Sequence, residues 1–232
     1  MRQIPLAIGP VPLCTFDGFV PGSNAAALAH LRTMTGPRPG APLQARAPVY
    51  LWGPRGSGKT HLLCALAEAA YLRGQRAAWF DPARGLPWHF DEQCAWVLLD
   101  DCDAYDEAQQ QAAFALFVEA STHGVQVAAA GMVPPIDLRL RDDLRTRLGW
   151  GHVFALEPLA EGDARAVLRR DADRRGIFLS DEVMDYLLTR FSRDLKHLMT
   201  LLDRLDEFAL SQRRTVTVPL LKQMFEQEGA TL

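Results

Sequence analysis

Short apolar runs alternate with longer helical segments between residues 48 and 158. Segments that form helices readily lie at 61–73 and 107–121, and Gly74 is placed to end the first of them. Strands that are apolar on both faces are typical of a parallel sheet covered by helices on both sides. The pattern therefore predicts an α/β fold. Four runs have the length and composition of strands, 48–53, 76–81, 94–101 and 125–131, and 152–158 is a candidate for a fifth.

The periodicity changes after Pro158, where strand-like runs stop. Ser180, followed by two acidic residues, is a good N-cap for one of the helical stretches beyond that point. We therefore predict an α/β nucleotide-binding domain over 13–158 and a small all-helical domain over 159–232. Four stretches have helical spacing: 161–176, 180–191, 193–210 and 218–228.

The segment GPRGSGKT matches the phosphate-binding pattern G-x-x-x-x-G-K-[ST] completely, and it lies between a predicted strand and a predicted helix. Its glycines let successive backbone N–H groups face phosphate oxygens, and the helix N-terminus adds a positive dipole end. Lys59 would reach the β- and γ-phosphates, and Thr60 would hold Mg²⁺. The sequence predicts binding of ADP or ATP with Mg²⁺ by Gly53, Pro54, Arg55, Gly56, Ser57, Gly58, Lys59, Thr60 and His61.

An acidic strand end, VLLDD, supplies the second half of such a site. Asp100 follows an apolar run, where a carboxylate holds the water shell of Mg²⁺, so Mg²⁺ is expected between Thr60 and Asp100. Asp101 stands where many P-loop ATPases keep the catalytic residue that polarises the attacking water. The end of the fourth strand usually carries a polar side chain that orients this water, but residues 129–132 read AAGM. We therefore expect weak or no intrinsic ATP hydrolysis.

Composition mainly excludes functions. A net charge of −3 over 232 residues gives no overall field that would attract DNA or an anionic membrane. No apolar run approaches the length of a membrane helix, and the N-terminal run is too short for a secretory signal, so a cytoplasmic protein is expected. The four cysteines lack C-x-x-C spacing, which favours ordinary reduced thiols.

The sequence resembles a P-loop AAA+ ATPase in four features: the α/β domain, the phosphate-binding loop, the acidic strand end and the small helical domain, or lid. LRTRLGWGHVFAL (144–156) and TFDGFVPGSNAAALAHL (15–31) are similar to segments of the DnaA-like family of bacterial replication initiators. Beyond the predicted lid we expect no C-terminal DNA-binding domain like that of DnaA, and in this the sequence resembles the shortened Hda-type members, the DnaA regulatory inactivators. The resemblance implies negative regulation of the initiation of chromosome replication, by promoting hydrolysis of DnaA-bound ATP.

The resemblance also implies roles for single residues. Arg147 falls where the family has its arginine finger, which reaches the γ-phosphate held by a neighbouring subunit. Arg145 is the weaker candidate, and the plainer interpretation of Arg147 is a surface salt bridge. Lys196 falls where the lid of DnaA has a cation that contacts bound phosphates. Residues 1–12 would form a peptide that docks on the sliding clamp, the β subunit of DNA polymerase III, through Gln3, Leu6 and Ile8.

Three functions stay open at this point. The first is the regulator, with the clamp and DnaA as partners, a homodimer as a further option, and contact with DNA only through the clamp. The second is a DnaA-like protein or helicase loader that hydrolyses its own ATP. The third is a P-loop nucleotide kinase, against which the helical C-terminal segments argue. The N-terminal peptide and the apolar end of the fourth strand favour the regulator.

Overall fold

The computed structural model describes residues 14–36, 47–190, 195–212 and 214–227. Contacts divide the chain into two compact units. The first comprises Met1–Gly53 and Gly58–Leu156, and the second comprises Pro54–Ser57 and Glu157–Leu232. The first unit is built on a sheet, whereas the regular elements described in the second, all beyond Glu157, are helices.

A five-stranded sheet forms the centre of the first unit. The strand order is β2-β3-β4-β1-β5, and every neighbouring pair is parallel. Each strand lies inside one of the predicted apolar runs, so the predicted α/β class is confirmed. The strands are β1 (Val49–Trp52), β2 (Arg76–Phe80), β3 (Cys94–Leu99), β4 (Gln126–Gly131) and β5 (His152–Ala155).

Helices cover both faces of the sheet because the three central strands, β1, β3 and β4, are buried almost throughout, whereas the edge strand β5 is largely exposed. The first two helices bury Leu31 and Leu62 against one face, and the next two bury Phe117 and Leu144 against the other. Each set forms one continuous apolar layer with the strands. These helices are α1 (Ala25–Thr35), α2 (Lys59–Tyr71), α3 (Glu107–His123) and α4 (Asp142–Gly149).

Local signals fix the helix ends. Asp106 and Gln109 form a capping box at the start of α3, since each side chain accepts a hydrogen bond from the other's backbone N–H. The chain leaves α2 through Gly74, whose φ of 69° lies in the left-handed region, as the sequence predicts for a helix stop. Helix α1 is not among the helices predicted from the sequence.

Beyond Glu157, the described residues of the second unit form helices around one apolar core, as predicted for the lid. Leu168, Met184, Leu202 and Leu220 are among the fully buried members of that core. The Ser180 hydroxyl accepts a hydrogen bond from the Val183 N–H at 3.4 Å, which is the predicted N-cap. The helices are α5 (Glu161–Arg175), α6 (Asp181–Arg190), α7 (Leu195–Gln212) and α8 (Val218–Gln227).

Within the described ranges, no helix combines the length and the apolar character that crossing a bilayer requires.

Candidate functional site

The phosphate-binding segment turns sharply between the end of β1 and the start of α2. Gly58 is the N-cap of α2 and has a φ of 92°, a left-handed conformation that favours glycine. A Cβ atom at Gly58 would also lie 2.5 Å from Cε2 of Phe19. At the other end of the turn, the Gly53 N–H donates to the Gly131 carbonyl at 3.3 Å, which ties the loop to the end of β4.

The structure brings the loop lysine, the loop threonine and the first strand-end carboxylate together. Lys59 is buried, and its Nζ donates to the Gly53 carbonyl at 2.7 Å. The Thr60 hydroxyl donates to Oδ2 of Asp100 at 2.8 Å. Burial raises the pKa of the Asp100 carboxyl, and the hydrogen bond from Thr60 opposes that rise. A cation, a hydroxyl and a carboxylate therefore converge at the carboxyl edge of the sheet.

These residues fit a nucleotide with its metal ion. The Ser57 hydroxyl is buried and, among the described residues, has no hydrogen-bond partner, so it is left with a free donor inside the loop. A phosphate oxygen is an acceptor suited to that donor and to the Lys59 ammonium. Thr60 and Asp100 supply the hard oxygen ligands that Mg²⁺ prefers.

The other predicted residues of the loop are less enclosed. Pro54 and Arg55 are exposed, and Gly56 lies between them and Ser57 in a left-handed conformation. His61 points its Nε2 at the Thr15 carbonyl, 2.9 Å away, so this ring nitrogen is engaged within the chain. The structure therefore separates His61 from the residues whose polar groups converge at the loop.

Asp101 follows Asp100 in a left-handed conformation with a φ of 49°, which is uncommon for residues other than glycine, although aspartate adopts it more often than most. Its N–H donates to Oδ1 of Asp100 at 3.1 Å, and its side chain is exposed. Backbone strain of this kind is concentrated at functional sites.

The end of β4 is closed to a side chain. A Cβ atom at Gly131 would lie 2.1 Å from the Tyr50 hydroxyl oxygen and 3.0 Å from Oδ1 of Asp103. That hydroxyl donates to the Val133 carbonyl at 3.0 Å, and Asp103 accepts from the Met132 N–H at 2.8 Å. The sequence shows that a polar residue is missing at this strand end, but not that the Tyr50 and Asp103 side chains fill the space. Asp103, in the run DDCD, was the residue that could have been noticed.

Arg147 lies in the last turn of α4 against two aromatic rings of α3. Its guanidinium carbon is 5.2 Å from the centre of the Phe114 ring and 5.8 Å from that of Phe117. Over the part of the chain that the structure describes, Arg147 forms no ion pair, whereas Arg145 pairs with Asp142 at 2.8 Å. The two arginines of this segment therefore differ in environment, and only Arg145 has the salt bridge of the plainer interpretation.

The turn after α4 and the phosphate loop lie at opposite ends of strand β1. A Cβ atom at Gly151 would be 1.9 Å from the Pro48 carbonyl oxygen, so the turn after α4 passes directly over the residue before β1. The phosphate loop begins at Gly53, after the four residues of β1, each of which adds about 3.3 Å. The turn that follows Arg147 and the phosphate loop therefore lie at opposite ends of β1.

Two sets of predicted residues cannot be placed. Gln3, Leu6 and Ile8 of the predicted docking peptide lie outside the described residues. Lys196 lies in α7, but its side chain is also outside what the structure describes.

Comparison with known proteins identifies two family models along the chain. The model "Hda, lid domain" matches residues 161–225, and the bacterial DnaA ATPase domain matches residues 12–78. A Haemophilus influenzae protein described as uncharacterized is 32% identical over 234 residues, which cover 96% of this chain and 98% of that protein.

Solved structures share the fold at low sequence identity. Domain III of the Thermotoga maritima replication initiation protein DnaA matches with a TM-score of 0.75 at 20% identity, over 93% of this chain and 97% of that one. AMPPCP-bound DnaA from Aquifex aeolicus matches with a TM-score of 0.68 at 20% identity, over 94% of this chain and 70% of that one. The T. maritima RuvB Holliday junction branch migration motor matches with a TM-score of 0.57 at 14% identity, over 79% of this chain and 62% of that one.

Proposed function

This chain belongs to the Hda/DnaA-like AAA+ proteins, a family of replication-initiation regulators, and we propose that it promotes hydrolysis of the ATP bound to DnaA. In this proposal the protein carries its own nucleotide and uses the sliding clamp of DNA polymerase III as a platform. Conversion of DnaA-ATP to DnaA-ADP would then prevent re-initiation. A regulator of this kind works in the cytoplasm, on the chromosome, and reaches DNA through the clamp.

The environment of Arg147 is the single observation that carries the proposal. Its guanidinium has no ion-pair partner among the described residues and rests on the Phe114 and Phe117 rings. The turn that follows it lies beside Pro48, at the end of β1 away from the phosphate loop. A cation held in this way is available to a neighbouring chain. Placed at the γ-phosphate of that neighbour, it would stabilise the charge that develops during phosphoryl transfer.

The chain's own nucleotide has a different role in this proposal. Lys59 would neutralise phosphate charge, and Thr60 with Asp100 would hold Mg²⁺, which would supply further positive charge beside the phosphates. The closed end of β4 supports slow turnover, because a water-orienting side chain has no room at Gly131. ADP or ATP is thus proposed to serve as a resident ligand.

The sliding clamp is the second proposed partner. Gln3 can donate and accept hydrogen bonds in a polar subsite, and Leu6 and Ile8 can fill an apolar groove. Pro5 restricts Ile4 to extended conformations, which lowers the ordering cost of docking. A homodimer is a further option, since AAA+ fingers act between neighbouring chains.

A self-hydrolysing ATPase, like an initiator or helicase loader, is the second candidate. The observation that favours it is Asp101, an acidic residue held in a strained conformation directly after Asp100. The two candidates differ in turnover. The regulator alone should release little phosphate but stimulate release by DnaA when clamp is present, whereas an ATPase should turn over without either partner.

A pull-down with the sliding clamp tests the proposal. The intact protein should retain the clamp, a protein lacking residues 1–8 should not, and Arg147→Ala should retain it like the parent. Equal retention with and without residues 1–8 would remove the clamp from the proposed mechanism.

A further inference from the structure

Residues Thr15–Phe19, here called the strap, cross the first unit just before α1 and are held at several points. The Thr15 carbonyl lies 2.9 Å from Nε2 of His61, and because a carbonyl only accepts, Nε2 is the donor. Arg32 of α1 donates to the Phe16 carbonyl at 3.1 Å and to Oδ1 of Asp17 at 2.7 Å. The strap is therefore fixed to both α1 and α2.

The strap also touches the phosphate loop. The Phe19 side chain is buried, and its ring centre lies 5.6 Å from that of His61. Its Cε2 atom lies 2.5 Å from the position that a Cβ atom of Gly58 would take, so the ring occupies the side-chain space of the loop's last glycine. Gly58 is also the N-cap of α2, the residue at which the loop becomes a helix.

We propose that the strap braces the phosphate loop, and that His61 and Phe19 are positioning residues that set nucleotide affinity without contacting phosphate. The proposal rests on the nucleotide binding proposed above. A phosphate cradle made of backbone N–H groups binds well only while those groups converge. Loss of the brace would let the turn at Gly58 sample other conformations, and apparent affinity falls with the fraction of chains that stay competent.

The role of His61 differs from that of its neighbours in α2. Leu62 and Leu63 are fully buried in the apolar core, so their replacement would damage the fold. His61 is only partly buried, and its described hydrogen bond goes to the strap. Its removal should therefore loosen the loop while leaving the core intact.

The test is calorimetric titration of the full-length protein with Mg²⁺-ADP. His61→Leu should raise the Kd about fivefold, which is the size of one net hydrogen bond. His61→Gln, whose amide can still donate to the Thr15 carbonyl, should recover most of the affinity. His89→Leu is the matched control, because His89 is exposed and lies away from the strap in sequence, and its Kd should equal that of the parent.

If His61→Leu has the Kd of the parent, the proposal that the strap braces the loop is wrong. It is also wrong if His61→Gln loses as much affinity as His61→Leu. If His61→Leu fails to fold, His61→Asn replaces it, since its shorter side chain leaves the strap unpaired but keeps a polar group. Lys59→Ala separates the two claims. If Lys59→Ala binds Mg²⁺-ADP with the Kd of the parent, nucleotide binding at this loop is contradicted. If Lys59→Ala loses binding while His61→Leu keeps the Kd of the parent, only the bracing role of the strap is contradicted.

Discussion

Replacement of Asp100 by asparagine should make the nucleotide-free protein more stable. The Asp100 side chain is buried, and burial raises its pKa, so its ionised form is unfavourable in the folded state. Asparagine can keep both hydrogen bonds, because its oxygen can accept from the Asp101 N–H and its amide can donate to the Thr60 hydroxyl. The change then removes a buried charge at constant shape.

The expected gain in the free energy of unfolding is about 0.5–2 kcal/mol at neutral pH, the range found when such functional compromises are removed. In a chain of this size, each kcal/mol corresponds to about 2–4 °C in melting temperature. The same variant should bind Mg²⁺-ADP more weakly, since Mg²⁺ loses the negative charge of the Asp100 carboxylate. Stability and function should therefore change in opposite directions.

The pH dependence follows from the direction of the shift. The folded state binds the Asp100 proton more readily than the unfolded state does. The loss of stability caused by the buried charge is therefore complete at pH values above the raised pKa of the folded state. It shrinks as the pH falls through that value and vanishes below the unfolded value of 3.8. The stability difference between the asparagine variant and the parent should therefore be largest at neutral pH.

The assay is thermal unfolding without nucleotide, at neutral pH and at about pH 4.5, with Asp137→Asn as control because Asp137 is exposed. An asparagine variant less stable than the parent at neutral pH would refute the reasoning. A difference that grows as the pH falls would refute it as well.

Two further changes test the closed end of β4 and the N-terminal peptide of residues 1–12. Gly131→Ala should lower stability by about 1–3 kcal/mol because its Cβ meets the Tyr50 hydroxyl, and Tyr50→Phe in the same chain should restore part of that loss in a melting experiment. Full stability of Gly131→Ala would mean that the strand end is open. Gln3→Ala combined with Leu6→Ala should abolish clamp binding and leave the melting temperature unchanged. A large drop in that temperature would mean that the N-terminal peptide packs on its own domain.

The sheet was predictable from the sequence because its signals are local. A strand buried on both faces must be apolar throughout, and each run ends where polar or turn residues begin, as at Gly53 and Asp100. The loop chemistry was equally readable, since the glycine spacing and the Lys-Thr pair are consecutive. The structure then brings Thr60 within hydrogen-bond distance of Asp100, forty positions away.

The remaining features depend on contacts between distant segments, which no local pattern contains. Tyr50 closes the end of β4 although eighty-one positions separate it from Gly131, so the sequence showed only that a polar residue was missing. Gly151 belongs to the GWG motif, but the need for glycine comes from Pro48 across the sheet edge. His61 was predicted to contact nucleotide because it follows the loop, whereas its ring nitrogen faces the strap.

The most direct test of the central claim is phosphate release from DnaA-ATP with clamp and DNA present, comparing the parent with Arg147→Ala, Arg147→Lys and Arg145→Ala. Fingers supplied in trans are worth about 10³–10⁵ in rate in small GTPases, and a slower system shows less. We predict that Arg147→Ala loses stimulation while keeping ADP and clamp binding. Arg147→Lys should recover little, because a point charge lacks the bidentate fork, and Arg145→Ala should stay active. Full stimulation by Arg147→Ala would contradict the account.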